Sequence, residues 1–259
     1  MSLGTCFFRT LALSLVLVSC SIASDGTKEL NDLAKDMFAL HKNIFRPRSI
    51  EILSVAFPAY LAGRSVDERL QQDFYDASRH VNCNQVARPI YLASFYGGVG
   101  LTIAVALKDV LSKDPYHFET GKMLAIGLAT LTINKIILKE IKAYGNLRPW
   151  HASFSCTNRT YGGLPSGHTS QIAYMAGLYG LRYGIRCAIP FSLITGISAI
   201  VSISSNEHYL SQVIAGVTYG LIYAFAANTT LKQKTKKDLS LAIQPNGQNG
   251  LEASVSYSF

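Results

Sequence analysis

The chain has 259 residues, 49% of them apolar, a mean hydropathy of +0.20 and a formal net charge of +8 from 24 Lys and Arg against 16 Asp and Glu. That length suits one domain with a substantial core; the composition is too apolar for an ordinary water-soluble enzyme and too polar for a chain of membrane spans alone. The basic excess suits anionic headgroups or phosphorylated substrates, and no nucleic acid is expected as a partner, because the basic residues are scattered and no helix-turn-helix, zinc-finger or RNA-binding signature appears.

Residues 1–23 join a lone Arg9 to an apolar run from Leu11 to Val18 and end on small residues, the pattern of an export signal. Three fates fit it: cleavage after Ala23, lipidation of Cys20 in the lipobox-like "LVSC", or retention as an N-terminal anchor. The expected location is the periplasm or the membrane, with the functional end on the periplasmic side. Oxidising surroundings let thiols pair. Cys83 precedes one apolar segment and Cys156 follows the next, so antiparallel packing puts both at one end; a Cys83–Cys156 disulfide and free buried thiols are the two readings.

Residues 24–86 form a mixed, polar lead-in with helical spacing in "DLAKDMFALHKNIF" and an apolar patch at "ILSVAFPAYLAG". Five helix-length apolar segments follow, at about 90–111, 121–143, 166–183, 187–205 and 209–229, and none alternates as a strand would. "CAIPFSLITGISAIVSISSN" and "YLSQVIAGVTYGLIYAFAANTT" carry no charge and are long enough to cross a bilayer. Their Ser, Thr and Gly fit close helix packing in a membrane or in a tightly packed soluble bundle. The predicted fold is all-α, a bundle of about five to six apolar helices over 87–230. In the remainder, 231–259, a basic linker "KQKTKKD" leads to a period-two segment with Pro-Asn-Gly and Asn-Gly turn signals, predicting a small C-terminal β-hairpin.

"GGLPSGHTSQIAYMAG", 162–177, places a Pro-Ser-Gly-His turn at the head of a helix. Such a turn offers backbone N–H groups, a hydroxyl and the positive end of the helix dipole to an anion. His168 in the first turn can pass a proton near neutral pH; the plain alternative is an N-cap at Ser166 and an idle surface histidine. Arg148 falls just after one predicted helix and His208 just before another. Alternating helix directions bring Arg148, Ser166, His168 and His208 to the same pole.

With these residues the chain resembles the type 2 phosphatidic acid phosphatase superfamily, whose motifs are Lys-x6-Arg-Pro, Pro-Ser-Gly-His and Ser-Arg-x5-His-x3-Asp. Pro165-Ser166-Gly167-His168 completes the second, Arg148-Pro149 ends the first, and "HYLSQVIAG" is similar to the common "HYPSDVLAG". Exported members with a short C-terminal strand pair look most similar. The resemblance implies a phosphatase that acts on a phosphorylated lipid, an isoprenyl (di)phosphate or a small phosphate ester. His208 would attack phosphorus, His168 would protonate the leaving oxygen, and Arg148, Ser166, the Gly167 amide and a lysine would hold the phosphoryl oxygens. No metal and no cofactor are implied. The family includes vanadium-dependent haloperoxidases, because vanadate mimics the phosphoryl transition state.

Three positions depart from the pattern. The first-motif lysine falls on Ile141, with Lys142 and Lys139 as flanking candidates. The third-motif Ser-Arg pair falls on Val201 and Ser202, and no nearby basic residue replaces the arginine, so Ser202→Arg is the repair if space allows. Gln212 stands where the family has Asp, four residues after His208; its carbonyl can orient the imidazole but cannot stabilise an imidazolium as a carboxylate does. Glu207 points about 100° away on a helix and is a doubtful substitute. A degenerate relative that binds anionic lipid or phosphate without turnover is therefore the second reading.

Overall fold

A computed structural model describes residues 26–76, 81–82, 87–139, 148–149, 162–246 and 250–257. The leader 1–23 with Cys20, the pair Cys83 and Cys156, and Lys142 lie outside these residues.

Among the described residues seven helices follow one another: α1 (Gly26–Ile44), α2 (Pro47–Phe74), α3 (Ala87–Val110), α4 (Pro115–Lys139), α5 (Gly167–Tyr183), α6 (Ile185–Ser204) and α7 (Leu210–Asp238). A two-residue strand pair, β1 (Tyr75–Asp76) and β2 (Val81–Asn82), stands between α2 and α3. After α7 come β3 (Leu239–Asn246) and β4 (Gly250–Tyr257), antiparallel to each other with Leu241 opposite Val255 and Ile243 opposite Ala253. Among the described residues they pair with no other strand.

Two helix boundaries differ from those read in the sequence. The segment expected from 121 begins at Pro115, because Asp114 Oδ1 accepts the Tyr116 N–H at 2.8 Å and Pro115 fills a first-turn position that needs no donor. The stretch expected as a basic linker instead continues α7 to Asp238. Lysines suit a helix C-terminus, and Lys234 reaches Glu119 of α4 at 2.6 Å.

Helix α5 is the axis of the bundle. It is buried continuously from Gly167 to Ala176, with α7, α6, α4 and α3 packed around it. The main core joins Leu124 and Leu131 of α4, Tyr174 and Leu178 of α5, and Tyr223 and Ala227 of α7.

The outer helices are apolar where they face away. Ile185, Ile189, Leu193, Ile197 and Ile200 recur every three or four residues along α6 and are all exposed, a single outward stripe. Helix α2 is inverted: its buried residues are Ser49, Gly63, Asp67 and Gln71, whereas Ile50, Val55, Phe57 and Leu61 are exposed. Polar groups inside and apolar groups outside suit a lipid solvent. Three helical stretches among the described residues are long and apolar enough to cross a membrane: Pro115–Leu138, Ile185–Ser204 and Leu210–Thr235.

Helices α5 and α7 touch backbone to backbone. A Cβ on Gly220 would lie 2.3 Å from the Ser170 carbonyl oxygen and 2.9 Å from the Tyr174 nitrogen. Gly220→Ala must force the two helices apart, so we expect a loss of about 1–3 kcal/mol, seen as a lower unfolding midpoint of the detergent-solubilised protein.

Candidate active site

Three stretches of chain meet at one end of α5. The segment 162–168 enters α5, the turn 205–209 leads from α6 into α7, and Arg148 with Pro149 lies against both. The backbone joins the starts of α5 and α7 directly, since the Ser166 N–H donates to the Gln212 carbonyl at 3.0 Å. The expected convergence of Arg148, Ser166, His168 and His208 therefore has a physical basis in the pairing of two helix N-termini.

The turn carrying His208 is built on Ser202. Its carbonyl accepts the N–H groups of Glu207 at 3.0 Å and His208 at 3.2 Å, a double contact that requires Asn206 to take φ +55°, a left-handed conformation that asparagine tolerates. The Ser202 hydroxyl turns back to the Ser198 carbonyl, and the residue is fully buried. The position where the family has arginine is thus a packed structural serine. No room remains for a guanidinium there, which removes Ser202→Arg as a repair.

His208 is 2% exposed. Its Nδ1 lies 3.3 Å from Gln212 Oε1, which also accepts the Tyr209 N–H at 3.3 Å. The Tyr209 N–H is a donor, which fixes that amide atom as oxygen, so Nδ1 carries the imidazole hydrogen and the lone pair sits on Nε2. That Nε2 is buried and makes no hydrogen bond among the described residues. Burial, then the Arg148 guanidinium and more weakly Lys135, hold the imidazole well below the ordinary histidine range despite the opposing effects of Gln212 and of the Gly163 backbone. The ring is neutral at neutral pH.

Arg148 is buried and oriented by acceptors from two segments: Nε donates to the Gly162 carbonyl at 3.2 Å, and Nη1 to the Glu207 carbonyl at 3.1 Å and carboxylate at 3.4 Å. Glu207 therefore serves Arg148 rather than His208. No described residue takes the Nη2 hydrogens, so that edge of the guanidinium can meet an anion.

Ser166 occupies the N-cap position of α5, but its hydroxyl makes no capping bond and lies 2.9 Å from the Thr169 hydroxyl. His168, in the first turn, is buried. Phe95 of α3 stands edge-on to it, ring centroids 3.7 Å apart.

The lysine beside His168 is one that sequence reading missed. Lys135 Nζ lies 3.0 Å from His168 Nε2. The lysine stem crosses Gly167 so closely that a Cβ there would lie 2.2 Å from Lys135 Cδ, which explains the glycine of the Pro-Ser-Gly-His turn. Of the two lysines expected near the site, Lys139 is the last residue of α4 with no side chain described, and Lys142 lies outside the described residues. A search for lysines in the polar half of α4 facing α5, rather than a count back from Arg148, is the signal that finds Lys135.

Residues 122–236 match the family model described as PAP2 superfamily. In fold, the chain is similar to the crystal structure of the first transmembrane PAP2 type phosphatidylglycerolphosphate phosphatase from Bacillus subtilis, with a TM-score of 0.53 and 15% identity over 73% of this chain and 98% of that one. No curated protein matches the chain by sequence. The matched segment contains Lys135, Arg148, His168, His208 and Gln212; β3 and β4 lie beyond it.

The buried imidazole sets a pH dependence of stability. The unfolded chain protonates His208 around 6.5 while the folded chain resists it, so the unfolded state binds more protons as pH falls. This contribution is complete above about 6.5 and is lost below it. Unfolding midpoints measured between about pH 7.5 and 5 should fall less steeply in His208→Gln than in wild type; parallel profiles would contradict the buried neutral imidazole.

Proposed function

We propose that this chain, whose residues 122–236 match the PAP2 superfamily model, is a membrane phosphatase that hydrolyses phosphate esters through a phosphohistidine at His208. One observation carries the reading: a neutral imidazole, held at Nδ1 by Gln212, keeps a buried Nε2 without a partner in the field of Arg148 and Lys135. An unprotonated nitrogen beside two cations suits attack on a phosphorus whose oxygens those cations hold.

In the first half-reaction His208 Nε2 forms the P–N bond as the P–O bond to the alcohol breaks, and His168 delivers a proton to the departing oxygen. Lys135, on Nε2 of His168 in the structure, moves to the phosphoryl oxygens and leaves that nitrogen to take up, from the entering phosphate ester monoanion, the proton it then delivers. Arg148, the Ser166 hydroxyl and the amides opening α5 share the remaining charge. In the second half-reaction water attacks phosphorus, His168 takes its proton, and the P–N bond breaks to release phosphate and restore neutral His208. No residue outside this set is asked to move a proton.

The substrate class we propose is the phosphate ester of an apolar alcohol, a lipid phosphate or isoprenyl (di)phosphate. Phe95 against His168 supports it, since the leaving group departs beside that ring. The outward apolar faces of α2 and α6 agree, as does the phosphatidylglycerolphosphate named for the similar structure. The leader at 1–23 supports an exported protein with this site on the periplasmic side, the catalytic unit spanning 87–230.

A second reading, an anion- or lipid-binding relative without turnover, is favoured by Gln212 in place of a carboxylate and Ser202 in place of an arginine. Hydrolysis of a chromogenic phosphate ester separates the two. His168→Ala and His208→Ala should each lower kcat/KM by at least about a hundredfold; equal rates in wild type and both variants would end the phosphatase reading.

Gln212→Asp tests the same site from the opposite side. The carboxylate restores charge stabilisation to the imidazolium formed on attack, and kcat should rise by about tenfold or more. A well-folded Gln212→Asp protein no faster than wild type would support the binding reading.

A further inference from the structure

The buried polar face of α2 is unexplained by core packing and lies wholly before the residues that match the family model. Asp67, 1% exposed, accepts the Ser211 N–H on Oδ1 at 3.0 Å and the Ser211 hydroxyl on Oδ2 at 2.5 Å. Arg64 approaches the same carboxylate at 3.4 Å and lies over the Tyr209 ring. One turn further along α2, Gln71 Nε2 donates to the Pro149 carbonyl at 2.9 Å. These residues stand at i, i+3 and i+7, a single helix stripe. Asp67, Gln71, Pro149, Asn206, His208 and Tyr209 line one narrow space.

We infer that α2 is the positioning element of the catalytic site, Asp67 setting the nucleophile and Gln71 setting the anion clamp. The inference rests on the phosphatase reading above. Its physical basis is a division of contacts. Asp67 holds Ser211, the residue before Gln212, and so fixes the first turn of α7 from which Gln212 reaches His208 Nδ1. A carboxylate on a helix N-terminus is doubly favourable, through hydrogen bonds and through the dipole. Gln71 holds the carbonyl next to Arg148 and so fixes where that guanidinium stands. Neither side chain contacts the phosphoryl group; each acts through a neighbour that does.

The division predicts separate kinetic signatures. Asp67→Ala loosens His208 and should lower kcat by about tenfold or more with KM within about threefold, since a shift of the nucleophile by a fraction of an ångström is costly. Gln71→Ala displaces Arg148 and should raise KM and weaken orthovanadate binding by about tenfold while kcat changes less. Asp67→Asn keeps an acceptor for the Ser211 N–H and, with its amide turned to the hydroxyl, should recover most of the rate.

Full-length protein in detergent is assayed with a soluble phosphate ester, with orthovanadate binding followed by calorimetry and unfolding midpoints recorded for each variant. A kcat loss in Asp67→Ala, a KM and vanadate loss in Gln71→Ala, and rescue by Asp67→Asn establish the assignment. Wild-type kinetics in both alanine variants would overturn it, as would kcat, KM and unfolding midpoint falling together without rescue, the mark of a merely structural helix. A wild-type protein that neither turns over ester nor binds vanadate would instead overturn the phosphatase reading, a result read before any variant is compared.

Discussion

The site depends on one backbone hydrogen bond, from the Ser166 N–H to the Gln212 carbonyl. It joins the start of α5 to the start of α7, and therefore holds the helix that carries His168 against the helix that orients His208. Helix N-termini are poor neighbours electrostatically, because each concentrates positive potential. Bringing two together stores a demand for negative charge. Asp67 meets it behind α7; a phosphoryl group bound at α5 would meet it in front.

The same demand accounts for the cations. Arg148 and Lys135 approach the same region and add to the field that keeps the His208 imidazole neutral. Glu207 is the internal balance, since its carboxylate pairs with Arg148 at 3.4 Å while its backbone carbonyl takes a second hydrogen from the same nitrogen. Removal of either partner from a buried pair leaves an uncompensated charge. The guanidinium is thereby fixed in orientation before any anion arrives, which is the condition for preorganised stabilisation of a transition state.

Much of this arrangement was legible in the chain. Pro165 to His168, Arg148 and His208 sit at the ends of apolar segments, and an alternating bundle allows such ends only two poles, so their convergence follows from helix count and direction. Gln212 was legible too, because four residues place it on the His208 side of a helix start. What escaped were contacts whose partners lie far apart in sequence. Asp67 and Ser211 are 144 positions apart and Gln71 and Pro149 are 78 apart, and nothing in the periodicity of α2 announces them except that its polar residues occupy the face a soluble helix would fill with leucine. Lys135 escaped for a different reason. A motif spacing counts residues along the chain, whereas the contact with His168 is set by where α4 crosses α5. The Ser202→Arg repair depended on space, and sequence shows a missing arginine but not the packed turn that occupies its place.

On the proposed mechanism, the exchange of a carboxylate for Gln212 would change which step the site favours. A carboxylate stabilises the imidazolium that forms when Nε2 bonds to phosphorus, so it lowers the barrier to attack and also deepens the well of the intermediate. A neutral amide retains the orientation and gives up the charge. With Arg148 and Lys135 nearby, the imidazolium ring of the proposed phosphohistidine would be less stable than beside a carboxylate, and attack would become the harder step. Hydrolysis of the phosphohistidine would become the easier one, because a destabilised P–N bond is a better phosphoryl donor. A site of this kind would hold little covalent intermediate at steady state, and its rate would follow the orientation of the nucleophile, the quantity that Gln212, Ser211 and Asp67 hold between them.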